Sequence, residues 1–162
     1  MVFLEGRAIG SETGHEAGRE LLCEMYRRYV GAPVPAIAVT ERGKPYFTEG
    51  KWHFSISHSK RHVFCALSRK NIGIDAEELD RRIQPRLAGK ILSPAEWMQY
   101  EKTSDQPLAL LQFWVLKEAS VKCSGEGLKG YPNHTNFTLP DPRVREMDGC
   151  LVAVIEEEDN VI

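Results

Sequence analysis

No apolar run in these 162 residues approaches the roughly 18 needed to cross a bilayer. The opening Met-Val-Phe-Leu-Glu-Gly-Arg has no signal-peptide core. Cysteine is scarce: Cys23, Cys65, Cys123 and Cys150 stand far apart, without a C-x-x-C pair. That spacing argues against a zinc site and against a disulfide framework. No repeat is strong enough to read from the sequence alone, and the net charge of −2 is close to balance. A cytoplasmic protein with reduced thiols and no membrane partner is the simplest expectation.

The composition is that of an ordinary folded domain, 42% hydrophobic and 27% charged, and the length suits a single domain over residues 1–162. The charge is unevenly spread. Between residues 42 and 70 stand Arg42, Lys44, Lys51, Lys60, Arg61, Arg69 and Lys70 against Glu49 alone, a section that would attract a polyanion.

Strands are expected at residues 2–9, 36–40, 46–47, 54–59, 63–68 and 72–77, with Arg69-Lys70-Asn71 turning the last two into a hairpin. A helix over 12–30 has apolar residues at three- and four-residue steps, Ser11 as N-cap and Gly31 as its stop. Ser93, Pro94 and Glu96 fit the N-cap, N1 and N3 positions of another helix. Leu108–Cys123 reads as a long helix, and residues 137–139 with 149–155 as a closing hairpin. Helices and antiparallel strand pairs together imply an α+β fold.

The chemistry gathers in two segments. Ile72-Gly-Ile-Asp75-Ala-Glu77 is apolar apart from its two acids. On a strand, residues i and i+2 leave the same face roughly 6–7 Å apart. Two carboxylates that close raise one another's pKa unless a cation sits between them. In Trp114-Val-Leu-Lys117-Glu118-Ala-Ser-Val-Lys122, Glu118 and Lys122 are i,i+4 neighbours on one helix face, and Lys117 points round to the side. Asp75, Glu77 and Glu118 make an all-oxygen set suited to a hard cation such as Mg²⁺. A lysine beside them suggests a phosphate substrate.

Four motifs, in order, resemble those of the 4′-phosphopantetheinyl transferases: Gly43-Lys44-Pro45, Phe54-Ser-Ile-Ser57-His58-Ser59, Gly73-Ile-Asp75-Ala-Glu77, and Trp114-x-x-Lys117-Glu118-Ala-x-x-Lys122. Their order is that of the larger, surfactin-synthetase-activating type, in a shortened chain. Gly125-Glu126-Gly127-Leu128 is similar to a family Gly-x-Gly-Leu turn, with glutamate where many members have lysine. The resemblance implies two pseudo-symmetric α/β halves, about 1–70 and 71–162, with the active site in the cleft between them. It implies transfer of phosphopantetheine from coenzyme A to a serine of an acyl or peptidyl carrier protein, releasing 3′,5′-ADP.

By the same resemblance, Asp75, Glu77 and Glu118 are the metal ligands, with Mg²⁺ expected and Mn²⁺ the alternative. Lys122, Lys117, His58 and Ser57 are expected on the reacting phosphates, and Lys44, Arg42 and Arg19 on the remaining phosphate. Glu118, Lys122 and His58 are the catalytic candidates. Structural roles stay open for Lys117, as a salt bridge, and for Arg19, as an exposed helix residue. The basic run Arg81, Arg82, Arg86 and Lys90 is the candidate carrier-docking surface. A monomer is expected, a homo-oligomer being the alternative. Two other functions remain: a non-catalytic member that binds coenzyme A or a partner, and a metal-dependent nuclease, which the overall acidity disfavours.

Overall fold

The computed structural model describes residues 1–126 and 136–158. Its elements are β1 (Val2–Ala8), α1 (Gly14–Val30), β2 (Ile37–Val39), β3 (Pro45–Phe47), β4 (His53–His58), β5 (His62–Ser68), β6 (Ile72–Glu78), a 3₁₀ turn at Pro85–Leu87, α2 (Ala88–Ile91), α3 (Pro94–Lys102), α4 (Gln106–Ser124), β7 (Val144–Met147) and β8 (Cys150–Glu156). The fold is mixed α and β, as expected. No helix among the described residues is long and apolar enough to cross a membrane. All four cysteines are free.

Two three-stranded antiparallel sheets carry the architecture, in the orders β1-β5-β4 and β6-β8-β7, with β2 and β3 as a separate pair. Each larger sheet puts its last strand in the middle and has a long helix between its first strand and its hairpin. Phe64 and Ala66 of β5 pack with Ile72, Ile74, Val152 and Val154, so the sheets share an interior. The alternate residues face outward to the helices. Val63, Cys65 and Leu67 lie under α1, and Leu151, Ala153 and Ile155 lie under α4. This period-2 division of one strand between two cores explains why β5 and β8 read as continuous apolar runs.

Helix ends follow cap chemistry. Thr13, not Ser11, is the N-cap of α1, because its hydroxyl accepts from Glu16 N–H while Glu16 returns a bond to Thr13 N–H. Gly31 ends α1 with φ 75°, a left-handed conformation that favours glycine. Ser93 and Glu96 form the expected capping box on α3.

Two expected pairings are corrected. β5 and β6 are not a hairpin; after Arg69-Lys70-Asn71 the chain passes from the first sheet to the second. The partner of the last strand is Val144–Met147, not residues 137–139, and the tight turn between them has Asp148 at φ 51° and Gly149 at φ 78°. An Asp-Gly pair is the sequence signal for such a turn.

β4 and β6 meet without a backbone ladder. Ser55 Oγ accepts from Ile74 N–H at 3.0 Å, and Ser57 Oγ accepts from Ala76 N–H at 3.1 Å. Two hydroxyls therefore stand in for carbonyls along the seam, and the seam brings the serine-histidine strand beside the two acids.

Candidate active site

Asp75 and Glu77 leave β6 on the side that α4 covers. The helix comes close because residue 73 has no side chain: a Cβ there would stand 2.1 Å from Ala119 O and 2.2 Å from Cys123 N. That approach sets Glu118 and Lys122 against the acids. Lys122 Nζ lies 3.2 Å from Asp75 Oδ1, and Ser57 Oγ donates to the same oxygen, also at 3.2 Å.

Asp75 is buried, and its Oδ2 has no hydrogen-bond partner. Burial pushes its carboxyl up to about 6; Lys122 opposes that shift, and Glu77 and Glu118 add to it. Glu118 is raised for the same reasons, burial first, with Lys122 pulling back. Glu77 forms an ion pair with Arg81, one turn onward. A buried carboxylate oxygen without a donor, beside two more acids that disfavour its charge, is a chemical environment suited to a hard cation. The three acids thus fit Mg²⁺ by chemistry, although their oxygens do not converge as tightly as the separate cluster of His62, Glu78 and Cys150.

His58 is exposed at the end of β4, against Gly14 at the start of α1, where a Cβ would stand 2.5 Å from its Nδ1. It lines an open cavity together with Glu77 and Arg81. On the other side of the seam, Arg42, Lys44, Phe54, Val121 and Lys122 line a cleft of about 210 Å³. His58, Lys122 and the two basic residues of the β2–β3 turn therefore flank the acids.

Four predicted phosphate ligands are engaged with the protein itself. Lys117 Nζ is buried and paired with Glu96 Oε1 at 2.7 Å, the salt bridge that stood as the alternative to a phosphate contact. The same glutamate accepts from Ser93 N–H and Phe137 N–H, both at 2.8 Å, so the pair ties α3, α4 and the segment at 137 together. Ser57 is buried, with its hydroxyl donating to Asp75 Oδ1 and accepting from Ala76 N–H. Lys44 Nζ, half-buried, donates to Asn71 Oδ1 at 2.5 Å and to Cys123 O at 2.7 Å, capping the C-terminus of α4. Arg42 donates to Glu126 O at 3.2 Å, clamping the same turn to the helix end. Arg19 sits half-exposed on α1 without a hydrogen bond or ion pair to any described residue and is not brought to the cluster. Of the Gly125–Leu128 turn, Gly127 and Leu128 lie outside the described residues.

Sequence reading missed Gly73 as the packing residue of its motif, Ser57 as the support of Asp75, and Glu96 as the partner of Lys117. Spacing carried no signal for the last two, because each contact joins distant segments.

An α+β chain that gathers three acids and a lysine where two sheets meet is built to hold concentrated charge. A family model described as the 4′-phosphopantetheinyl transferase superfamily matches residues 71–150, the stretch that carries all four of those groups. The 4′-phosphopantetheinyl transferase gsp of Aneurinibacillus migulanus is 34% identical over 90 residues, covering 54% of this chain and 37% of its own. A 4′-phosphopantetheinyl transferase of Bacillus subtilis is 34% identical over 123 residues, covering 70% and 54%. A holo-[acyl-carrier-protein] synthase of Sodalis glossinidius is 34% identical over 92 residues, covering 50% of this chain and 73% of its own. The chain belongs to the 4′-phosphopantetheinyl transferase superfamily. It spans about half the length of the first two of these relatives or less.

Proposed function

We propose that this protein transfers the 4′-phosphopantetheine arm of coenzyme A to a serine of an acyl or peptidyl carrier protein. The carrying observation is the unpartnered, buried Oδ2 of Asp75, set beside Glu77, Glu118 and Lys122. The names of the relatives support the reading. In this reading residues 1–162 form one domain with pseudo-symmetric halves, about 1–70 and 71–162, and the site lies in the cleft between them.

Asp75, Glu77 and Glu118 are the residues that would hold Mg²⁺ or Mn²⁺, and the bound ion supplies charge neutralisation at the diphosphate. Lys122 exchanges its bond to Asp75 for one to the reacting phosphate. His58, exposed beside the acids, donates to the diphosphate. The serine oxygen bonds to the β-phosphorus as the bond to the departing 3′,5′-ADP oxygen breaks, and the serine proton passes to Glu118, directly or through water. A carboxylate that also holds a cation is a weaker base, so a water between Glu118 and the serine is the better route for that proton. Positioning and charge stabilisation supply most of the rate. The exposed arginines after β6 dock the carrier, whose surface near the modified serine is acidic. The reaction takes place in the cytoplasm, with a monomer as the working unit.

The test is intact-mass analysis of apo carrier proteins incubated with this protein, coenzyme A and Mg²⁺. One added phosphopantetheinyl group, lost with EDTA and with Glu118→Gln, is the expected result. Coenzyme A binding without transfer to any carrier would establish a binding protein instead.

A further inference from the structure

Behind β6 lies a second cluster that the proposed reaction does not use. The side chains of His62, Glu78 and Cys150 converge from the start of β5, the end of β6 and the start of β8, and their donor atoms all lie within 4.8 Å of one another. His62 Nδ1 is 3.0 Å from Glu78 Oε1, and Cys150 Sγ is 3.5 Å from Glu78 Oε2. A tetrahedral zinc ion with bonds of about 2.0 Å to nitrogen and oxygen and about 2.3 Å to sulfur has donor–donor edges of roughly 3.2–3.7 Å. The two contacts to Glu78, one to each of its oxygens, stand near that spacing, and the histidine and cysteine donors lie within 4.8 Å of each other.

We propose that His62, Glu78 and Cys150 form a binding site for a thiophilic divalent cation of the zinc class, separate from the oxygen-only cluster around Asp75. Imidazole and thiolate select such an ion over Mg²⁺. The linear spacing of the cysteines argues against a zinc site, but it concerns motifs in which neighbouring residues supply the ligands. Here the fold supplies them from residues 62, 78 and 150.

The scaffold is rigid and supports the ligands. Glu78 and Cys150 are register partners across the β6–β8 ladder. Glu78 also accepts from Ser59 Oγ at 2.6 Å, from Arg61 N–H at 3.0 Å and from the Arg61 guanidinium at 3.3 Å. Outer bonds of this kind orient a ligating carboxylate. The Arg61 guanidinium also holds Asp80 at 3.0 Å, so it keeps a partner when its share of Glu78 goes to an ion. Cys150 and Glu78 are buried and His62 is partly exposed, which leaves an entry path on the histidine side. Glu78 reaches the cavity already described beside His58 and Glu77, where Ser59, Arg61 and Asp80 also line the wall, and that opening can supply water as the fourth ligand. Without metal, the Cys150 thiol donates to Glu78, and burial pushes its pKa up to about 12. Binding breaks that S–H bond: the metal–thiolate bond forms and one proton goes to solvent for each ion. The bound ion would fix the Ser59–His62 turn, directly after His58.

The proposal is tested on the full protein, stripped with EDTA and titrated with Co²⁺ as a spectroscopic probe and then with Zn²⁺. The expected result is one equivalent of Co²⁺ with a thiolate charge-transfer band, displaced by Zn²⁺. His62→Gln should bind Zn²⁺ at least about tenfold more weakly, Cys150→Ser should lose the band, and Asp75→Ala should keep it. Because Cys150 is buried and misfolding of its variant would also abolish the band, a thermal melt gives an independent readout: Zn²⁺ should raise the midpoint of the wild type and not of His62→Gln. No charge-transfer band in the wild type, or an equal Zn²⁺ shift in His62→Gln, overturns the proposal.

Discussion

The α-carbon of Gly73 lies so close beneath α4 that a methyl group there would come within 2.1 Å of the carbonyl oxygen of Ala119. The obstacle is helix backbone, which cannot rotate away as a side chain can. Gly73→Ala should therefore lift α4 from β6, at a cost of about 1–3 kcal/mol from overpacking, and carry Glu118 and Lys122 away from Asp75. Urea denaturation measures the stability loss. Calorimetry should show weaker Mg²⁺ binding in the fraction that remains folded.

Ser57→Ala removes one donor from Asp75 Oδ1 and the acceptor of Ala76 N–H. The expected effect is a several-fold loss of Mg²⁺ affinity with coenzyme A binding in EDTA unchanged. A loss of metal-free coenzyme A binding of similar size would return Ser57 to the diphosphate.

Asp75 gives the metal-free protein a distinctive pH dependence. Its folded pKa of about 6 lies above the ordinary carboxylate value near 4. The native state therefore holds the proton more tightly than the unfolded chain. The resulting stability is full below about pH 4 and is lost as the pH rises through about 6, up to about 3 kcal/mol in all. Denaturation in EDTA across pH 4–7 should show this slope, and Asp75→Asn should flatten it. Mg²⁺ affinity should fall in wild type as the pH drops below about 6, because ion and proton compete for one carboxylate.

Breaking the Lys117–Glu96 pair should damage folding more than binding. Lys117→Met leaves a buried carboxylate that still accepts two backbone N–H bonds. Glu96→Ala leaves a buried ammonium and strands both donors. Losses of about 3–5 kcal/mol are usual when one partner of a buried pair is removed, and Glu96→Ala should be the worse of the two by thermal melt. The affinity of folded Lys117→Met for coenzyme A should stay near that of the wild type.

Local chemistry made much of this molecule readable. The capping box at Ser93, the stop at Gly31 and the alternation around Asp75 and Glu77 are short-range signals, and they hold in the structure. Thr13 displaced Ser11 because only Thr13 has a glutamate three residues on, a signal present in the sequence but overlooked. The choice of partner for β6 was not local: Lys70-Asn71 suits a hairpin turn, and only long-range packing decides which sheet the next strand joins. Lys44 and Lys117 show the same limit at the site. A motif lysine looks alike whether its ammonium meets a phosphate, a helix C-terminus or a buried glutamate, and the last two were set by residues 79 and 21 positions away.

The serine seam has a further consequence, for solubility. β4 and β6 are the outer strands of their sheets, and outer strands with free backbone groups invite pairing with other chains. Here Ser55 and Ser57 occupy the N–H groups of Ile74 and Ala76, so the first sheet shields the vulnerable margin of the second. The two hydroxyls that set Asp75 in place also act as a guard against aggregation.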